Sequence, residues 1–373
     1  MLRILMLGWE FPPAITGGLA THCYYLTQAL AKTGTDITFV MPNRKMAINP
    51  NWIKLIQVEP ETILGNYDSF FNQGFFNEVL KINKAMIKMF ENNHDVDLIH
   101  CHDWLTSIAG RELKKKLGIP LIITIHATED DRTGGHPWKE IQDLELQACY
   151  EADAIITVSN YTKKKLEYFG IPSDKIFVAY NSVPIPDEEP VKKHKTNKVL
   201  FAGRLSVQKG VEFLLKAAQL VLQKNNNIQF IIAGKGDLLP KLIEMSFDMG
   251  ISNNVKFVGF VSQEQTSQLY KQCDVFIMPS VSEPFGIVAL ESIAQKTPVI
   301  LSKTSGVSEI AKNTIRVDFW DTEKMAASIL SAVKYQELRE EMGDKAFKDL
   351  RKYTWNDSAR DTKKVYELVV KHG

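Results

Sequence analysis

Residues 275–302 read VFIMPSVSEPFGIVALESIAQKTPVILS and predict a strand, a loop, a helix and a second strand in succession. The apolar run Val275–Met278 is short enough for a buried strand, and Ile287–Gln295 fits a helix that begins after a glycine. Pro298–Ser302 is again a short apolar run with the length of a strand. Two such strands joined by a helix are typical of a parallel sheet that is covered by helices.

The same alternation extends along the rest of the chain. In the first half we expect strands at Ile4–Leu7, Ile37–Met41, Leu98–His100, Leu121–Ile125 and Ala154–Val158, and helices at Gly18–Lys32, Phe75–Asn92, Leu105–Lys116 and Asn160–Phe169. In the second half we expect further strands at Lys198–Ala202, Ile228–Ala233 and Lys256–Val258, and helices at Val211–Gln223, Leu238–Met249 and Trp355–Val370. The sequence therefore predicts two similar α/β halves.

A linker between the two halves is predicted at residues 183–198, which read VPIPDEEPVKKHKTNK. Three prolines, mixed charge and the lack of an apolar period are typical of a connecting segment. We therefore expect a first domain at residues 1–182, a second at residues 199–352, and a terminal helix within residues 353–373. A length of 373 residues suits two domains of this size.

The composition narrows the class of protein. Lysine and arginine total 45 against 44 acidic residues, so the basic surplus of a nucleic-acid partner is missing. The four cysteines lie at positions 23, 101, 149 and 273, too far apart for a disulfide framework or a paired metal site. The first apolar run is too short for a signal peptide, and no run is long enough to span a membrane. We therefore expect a cytoplasmic location and reduced thiols.

Two cationic residues follow the first strand of the second half. Gly203-Arg204-Leu205 and Lys209-Gly210 come directly after Lys198–Ala202. A guanidinium group can bind phosphate oxygens with two hydrogen bonds, and an ammonium group adds a mobile charge. Arg204 and Lys209 are therefore candidates to hold a diphosphate. The alternative is that both are solvated surface residues.

A second candidate pair of residues lies in the opening stretch, where seven positions separate Glu283 and Glu291. Glu283 falls in the loop before the predicted helix and Glu291 about two turns inside it, while Gly286 and Ile287 begin the helix and expose backbone N–H donors. One carboxylate could then meet a sugar and the other a ribose diol. The alternative makes Glu283 an acid favoured by the helix dipole and Glu291 a surface residue.

Three motifs follow strands in the first half. Thr16-Gly17-Gly18-Leu19 opens a helix, so its backbone can approach an anion, or it can be a simple tight turn. His126 ends a strand and can contact a sugar hydroxyl, although a lone histidine is more often structural. His102 and Asp103 end another strand, and Asp103 can equally cap the next helix. After His126 comes a polar loop with Glu129, Asp130 and Arg132, which reads as a substrate-facing loop or an exposed excursion.

Gly234-Lys235-Gly236-Asp237 also follows a strand, but position 239 is leucine where a dinucleotide fingerprint has its third glycine. This difference argues against a nicotinamide-dependent dehydrogenase.

Taken in their order along the chain, these motifs resemble those of retaining glycosyltransferases of family 4. The most specific part of the resemblance is the combination of GRL and KG at residues 203–210 with EPFGIVALE at residues 283–291. The similarity covers nearly the whole chain and leans toward glycogen and starch synthases. It implies the GT-B fold, an α/β architecture of two Rossmann-like, doubly wound parallel-sheet domains that face each other across a cleft. It also implies that the terminal helix returns to the first domain.

The resemblance assigns roles to individual residues. The catalytic residues would be His126, Glu283, Arg204 and Lys209, with the two cations on the diphosphate and both His126 and Glu283 near the donor sugar. The donor-binding residues would be Gly17, Gly18, Gly234, Phe285, Gly286, Ile287 and Glu291, with Glu291 on the ribose. The acceptor side would comprise His102, Asp103, Glu129, Asp130 and Arg132. Glycogen synthases usually carry a lysine where this chain has Ile15, and they are longer, which weakens that part of the likeness.

The function implied is the retaining transfer of a sugar, with glucose as one candidate, from a nucleotide-diphosphate sugar to an acceptor hydroxyl such as that of an α-glucan. No cofactor and no metal is expected, because cations would replace the metal and Asp130-Asp131 is a weak metal motif. Partners would be the nucleotide sugar and a carbohydrate acceptor, with no nucleic acid. The alternatives are a nucleotide-sugar 2-epimerase of the same architecture and a non-catalytic nucleotide-sugar-binding protein.

Overall fold

The computed structural model describes residues 1–14, 17–59, 73–190 and 195–372. Ile15 and Thr16, discussed above, lie outside these residues, as do residues 191–194 of the predicted linker. The chain forms two units. The first contains Met1–Asp130, Pro137–Asn181 and Trp355–Gly373, and the second contains Asp131–His136 and Ser182–Thr354.

The first unit is built on a seven-stranded sheet in which every paired strand is parallel. Its strands are β1 (Arg3–Leu7), β2 (Asp36–Pro42), β3 (Lys54–Val58), β4 (Leu98–His102), β5 (Leu121–Ile125), β6 (Ala154–Thr157) and β7 (Ile176–Val178). The helices along this part of the chain are α1 (Gly18–Lys32), α2 (Gln73–Phe90), α3 (Ser107–Leu117), α4 (Glu129–Arg132), α5 (Lys139–Glu151) and α6 (Asn160–Tyr168). The strand order is β3-β2-β1-β4-β5-β6-β7.

The second unit is built on a six-stranded parallel sheet of the order β10-β9-β8-β11-β12-β13. Its strands are β8 (Lys198–Ala202), β9 (Gln229–Ala233), β10 (Val255–Gly259), β11 (Val275–Met278), β12 (Val299–Ser302) and β13 (Ile315–Val317). Its helices are α7 (Val211–Lys224), α8 (Leu239–Asp248), α9 (Gln263–Gln272), α10 (Ile287–Ala294), α11 (Thr322–Lys334) and α12 (Gln336–Leu350). The last helix, α13 (Trp355–His372), belongs to the first unit and packs against α1.

The sheet of the first unit is covered on both faces, as the apolar β1 sequence RILML requires. Leu5 and Leu7 join the hydrophobic cluster that includes α2 and α3, whereas Ile4 and Met6 join the cluster that includes α1 and α13. This alternation follows from the two-residue period of a strand, whose successive side chains point to opposite faces.

Both sheets reverse their strand order once, between β1 and β4 in the first unit and between β8 and β11 in the second. In open parallel sheets, ligands bind beyond the carboxyl ends of the strands at such a reversal. None of the helices in the described ranges is both long enough and apolar enough to cross a membrane.

Candidate active site

The loops that follow β8 and β11 lie against each other at the reversal point of the second sheet. Gly210 has a φ of +65°, and a Cβ at this position would lie 2.1 Å from the carbonyl oxygen of Pro279. The N–H of Val281 donates to the carbonyl oxygen of Gln208 at 2.9 Å, which ties the two loops together. Glycine is therefore required at position 210 for the close approach of the backbones.

This approach brings two of the predicted catalytic residues into contact. Nζ of Lys209 lies 2.7 Å from Oε2 of Glu283, and the hydroxyl of Ser280 donates to the same oxygen at 3.0 Å. Glu283 is only 6% exposed, so these hydrogen bonds replace the water that its carboxylate loses on burial. Lys209 and Glu283 thus form an ion pair in which each side chain holds the other in place, between the loops after β8 and β11.

The backbone around Glu283 leads directly into α10. Gly286 has a φ of +104°, and a Cβ there would lie 2.7 Å from Cε of Met278. The carbonyl oxygen of buried Phe285 accepts from the N–H of Val307 at 2.8 Å, which fixes the loop before the helix. Helix α10 begins at Ile287, four residues after Glu283, so the loop with Glu283 leads into the positive end of the helix dipole and its first N–H groups.

Glu291 lies in the second turn of α10. The residue is partly exposed, but its carboxyl group is enclosed and accepts a hydrogen bond from the hydroxyl of buried Tyr270 at 3.3 Å. Burial raises the pKa of Glu291 to about 6. The enclosed carboxyl group differs from the alternative in which Glu291 is a surface residue.

Gly203, Arg204 and Gly234 occupy the adjoining loops after β8 and β9. Gly234 has a φ of +141°, and a Cβ on it would lie 1.8 Å from the carbonyl oxygen of Gly203. The N–H of Leu205 donates to the carbonyl oxygen of Lys235 at 2.8 Å. Gly234 therefore has a packing reason to be glycine, while Arg204 between these contacts is exposed.

In the first unit, Gly17 and Gly18 lie at the start of α1, after β1. Gly17 is the N-cap with an extended backbone, and Gly18 is the exposed first residue of the helix. The backbone N–H groups of this first turn have no partners within the helix by geometry, as at any helix start. The structure therefore places both glycines at a helix end that can meet an anion.

His102, Asp103 and His126 lie together at the carboxyl ends of β4 and β5. Nδ1 of His102 and Nε2 of His126 are 3.0 Å apart, and the carboxylate of Asp103 accepts from the backbone N–H of His126 at 2.7 Å. Asp103 has a φ of +54°. Its side chain forms no capping bond to the described 3-10 helix Trp104–Thr106, so the reading of Asp103 as a simple helix cap is wrong.

A third histidine, His22 on α1, joins this group. The ring centroids of His22 and His126 are 4.4 Å apart, and those of His22 and His102 are 5.4 Å apart. Burial lowers the pKa of His22 to about 4 and that of His102 well below its ordinary value. One ring nitrogen from each of the three residues lies within 4.8 Å of the other two, a spacing that can hold a metal ion.

The remaining predicted acceptor-side residues differ from an open, substrate-facing loop. Glu129 begins the short helix α4 and is only 1% exposed, and its N–H donates to the carboxylate of Glu145 at 3.0 Å. Asp130 forms an ion pair with Lys165 at 2.7 Å. Arg132 ends α4 and is partly exposed. The sequence predicts a substrate-facing loop or an exposed excursion here, because helix α4, with four residues, is too short to show an apolar period.

Comparison with known proteins shows the family of this chain. Residues 16–185 match the family described as Glycosyltransferase Family 4, and residues 185–349 match Glycosyl transferases group 1. An uncharacterized glycosyltransferase of Methanocaldococcus jannaschii is 32% identical, over 99% of this chain and 99% of that protein. The chain belongs to the group 1 glycosyltransferases.

One further relative and one solved structure are also similar to this chain. A glycogen synthase of Mycobacterium tuberculosis is 27% identical, over 100% of this chain and 96% of its own length. The structure of a sucrose-phosphate synthase from Thermosynechococcus elongatus matches with a TM-score of 0.83 over 100% of both chains, at 18% identity. The GT-B fold class predicted for this group 1 glycosyltransferase, with two Rossmann-like parallel sheets, is confirmed.

Several residues of the candidate site could not be found from the sequence. Ser280, Tyr270 and Asn181 carry no motif, and each is recognisable only by the hydrogen bond it makes to Glu283, Glu291 or His22. His22 had a weak signal, because it lies one helical turn after Gly18 on the buried side of α1.

Proposed function

We propose that this group 1 glycosyltransferase is a metal-independent, retaining hexosyltransferase that moves a sugar from a nucleotide-diphosphate sugar to an acceptor hydroxyl. The observation that carries the proposal is the pair of Lys209 and Glu283, 2.7 Å apart beside the start of α10. A fixed cation, a fixed carboxylate and free helix N–H groups together fit a ligand with an anionic diphosphate and a polar sugar.

The donor is assigned to the second unit. Arg204 and Lys209 bind the diphosphate, with Gly234 allowing the close approach of the loops. Glu283 accepts hydrogen bonds from hydroxyls of the sugar, and Glu291 accepts from the ribose diol. The backbone of Phe285, Gly286 and Ile287 lies beside the diphosphate.

The reaction breaks the bond between the anomeric carbon and the oxygen of the β-phosphate. The electron pair leaves with the phosphate, where Arg204, Lys209 and the N–H groups at the start of α10 stabilise the added charge. The acceptor oxygen attacks the anomeric carbon on the same face, and the acceptor proton passes to the departing phosphate oxygen. Configuration is therefore retained.

The first unit supplies His126, whose ring is held by His102 and whose backbone N–H is held by Asp103. We assign His126 to the reacting sugar and Gly17 and Gly18 to the phosphates. The acceptor side comprises His102, Asp103, Glu129, Asp130 and Arg132. Because Glu129 is buried, its contribution is to hold the loop rather than to touch the acceptor.

The donor sugar we favour is glucose and the acceptor an α-glucan, on the similarity to a glycogen synthase that spans the whole chain. The experiment screens ADP-, UDP- and GDP-glucose for thermal stabilisation of the protein, and then tests glycogen as acceptor with the best donor. We expect ADP-glucose to stabilise most and to elongate glycogen. Release of the nucleoside diphosphate with another acceptor would support the transferase activity but exclude an α-glucan as the acceptor.

Variants of the cationic residues test the diphosphate assignment in the same assay. Arg204→Ala and Lys209→Ala should lose most of the transfer activity while both remain folded; Lys209→Ala should also lower the unfolding temperature, because it leaves buried Glu283 without its cation. Lys241→Ala is the control, because Lys241 also forms an ion pair at 2.7 Å, with Glu212, but lies on α8 rather than in the loops after β8 and β11. Near-normal turnover in Arg204→Ala and Lys209→Ala would reject the proposal, and epimerised donor formed without acceptor would favour the epimerase.

A further inference from the structure

The histidines of the first unit form a cluster with a geometry beyond what sugar contact requires. His22, His102 and His126 come from α1, the end of β4 and the residue after β5, and one ring nitrogen from each lies within 4.8 Å of the other two. Positions 22, 102 and 126 are far apart in the chain, so no spacing motif reveals the cluster. The sequence was accordingly read as having no metal site.

His22 is oriented as a metal-binding histidine would be. Its Nδ1 lies 2.6 Å from Oδ1 of Asn181, and because an amide oxygen only accepts hydrogen bonds, Nδ1 carries the proton. Nε2 therefore keeps its lone pair. Histidines that bind metals are typically fixed in this way, with the second ring nitrogen donating to a carbonyl or carboxylate oxygen.

Two of the three rings have a buried nitrogen whose bonding capacity is unmet. Among the described residues, Nε2 of His22 and Nε2 of His102 have no hydrogen-bond partner, although the two residues are 3% and 0% exposed. Buried polar atoms in native proteins are almost always satisfied, and a metal ion would satisfy Nε2 of His22. His100, the neighbouring histidine on β4, lacks this feature, since its ring bonds to Tyr366 and Thr124 at 2.7 Å each.

Two nitrogens of the cluster have about the spacing of neighbouring ligands in a tetrahedral site. Zn–N bonds of about 2.0–2.1 Å place two ligand nitrogens roughly 3.3 Å apart, and Nδ1 of His102 and Nε2 of His126 are already 3.0 Å apart. The carboxylate of Asp103, bonded to the backbone N–H of His126, adds negative charge beside the rings. Imidazole nitrogen suits zinc, nickel, copper and iron more than magnesium or calcium.

We propose that His22, His102 and His126 form a binding site for a divalent transition-metal ion of the zinc class, with one ring nitrogen from each residue as ligand. Asn181 orients the ring of His22 by accepting a hydrogen bond from its Nδ1. Three protein ligands leave a fourth position for water. The metal ion replaces the hydrogen bond between His102 and His126. The proton of that hydrogen bond moves to the other nitrogen of the ring that carried it.

The proposed transfer reaction itself needs no metal, but it shares His102 and His126 with this site and assigns His126 to the reacting sugar. Binding is therefore measured directly rather than through activity. Cobalt(II) is the probe, because its visible absorption reports coordination by protein ligands. The protein must be free of a polyhistidine tag.

We expect the untagged protein to bind one cobalt(II) ion per chain, with a visible band that zinc(II) abolishes by displacement. His22→Gln and His126→Gln should each lose the band and the stoichiometric site. Asn181→Ala should keep the site but weaken its affinity by about 10- to 100-fold. His94→Gln is the control, because His94 is exposed and outside the cluster, and it should bind as the parent does.

Circular dichroism and the unfolding temperature show whether each variant is folded. If His22→Gln fails to fold, the partly exposed His126 provides the test in His126→Gln. A parent protein without the cobalt band would overturn the proposal. So would a band that persists unchanged in the folded histidine variants, or one that is lost in His94→Gln.

Discussion

Glu283 illustrates how one residue joins the packing of the second unit to its proposed chemistry. Its carboxylate is almost fully buried and is satisfied by Lys209 and Ser280. A buried carboxylate of this kind is stable only while its partners remain, so the charge and the position of both side chains are fixed together. Such preorganisation is what electrostatic stabilisation of a transition state requires.

Replacing Glu283 tests this role. Glu283→Gln keeps the size of the side chain but removes its charge, so interactions that grow as positive charge develops on the sugar are lost. We expect kcat for sugar transfer to fall by about 10²-fold or more, with a smaller change in KM, in a steady-state assay of nucleoside diphosphate release. Glu212→Gln, which breaks the ion pair with Lys241, should leave kcat unchanged. A normal kcat in Glu283→Gln would remove Glu283 from the reaction.

The raised pKa of Glu291 predicts that the stability of the protein depends on pH. Burial raises its pKa from 4.5 to about 6, so between these pH values the folded chain holds a proton that the unfolded chain has released. This group therefore makes the free energy of unfolding fall as pH rises through that range, by about 2 kcal/mol at most. Glu291→Gln removes the effect, because glutamine does not ionise.

The measurement for Glu291 is chemical unfolding of the parent and of Glu291→Gln between pH 4.5 and 7. We expect the stability of the parent relative to the variant to decrease up to about pH 6 and then to level off. Since the chain has two units, the comparison uses differences between midpoints rather than one two-state free energy. A constant difference across this range would show that Glu291 titrates normally.

The sequence singled out candidate site residues where charged side chains come soon after a buried strand. Lys209 and Glu283 each lie between a strand and the next helix, and Glu291 lies within α10. His22 and Asn181 were not singled out, since their contact at 2.6 Å joins positions 159 residues apart. A single sequence contains the local geometry of a loop, but not the distances between loops.

At the scale of elements, the glycines after β8 and β9 determine how the loops meet. Gly234→Ala would place a Cβ 1.8 Å from the carbonyl oxygen of Gly203, at a φ of +141°. Backbone cannot yield as a flexible side chain would, so we expect a loss of more than about 2 kcal/mol in unfolding free energy.

Gly118→Ala is the matched control for Gly234→Ala. Gly118 also has a positive φ, +66°, but a Cβ there would meet no described atom within 4 Å, so only the strain of the left-handed backbone remains. We expect a cost of about 1 kcal/mol, measured by urea unfolding of both variants. Equal losses in the two variants would mean that the contact with Gly203 is not limiting.

Elements with a strong apolar pattern were predictable, whereas the shortest edge strands and the helices with a weak pattern were not. The bounds of α1, β5, β8 and β11 are those that the sequence predicts. The edge strands β7 and β13 have three residues each, too few to show a period. Helix α5 was missed because Glu145 interrupts its buried side among Ile141, Ala148 and Cys149. Helix α9 was missed because its sequence is polar and only Tyr270 is buried.

At the scale of the whole molecule, the two units repeat one arrangement. Each has a parallel sheet whose strand order reverses next to its first strand, and each places glycine-containing loops at the carboxyl ends of the strands beside that reversal. The alternation of strands and helices in the sequence was enough to predict this class, because a crossover helix between parallel strands leaves few alternatives. The order of the strands within each sheet came only from the structure.

The most direct test of the central claim is where a nucleotide binds. Hydrogen exchange of the backbone amides, measured by mass spectrometry, compares the protein with and without a saturating concentration of the nucleoside diphosphate that stabilises it most. The account predicts slower exchange at residues 203–210 and 280–291, and unchanged exchange at residues 250–254, which precede β10 at the opposite end of the same sheet. Binding that leaves residues 203–210 and 280–291 exchanging at their original rate would contradict it.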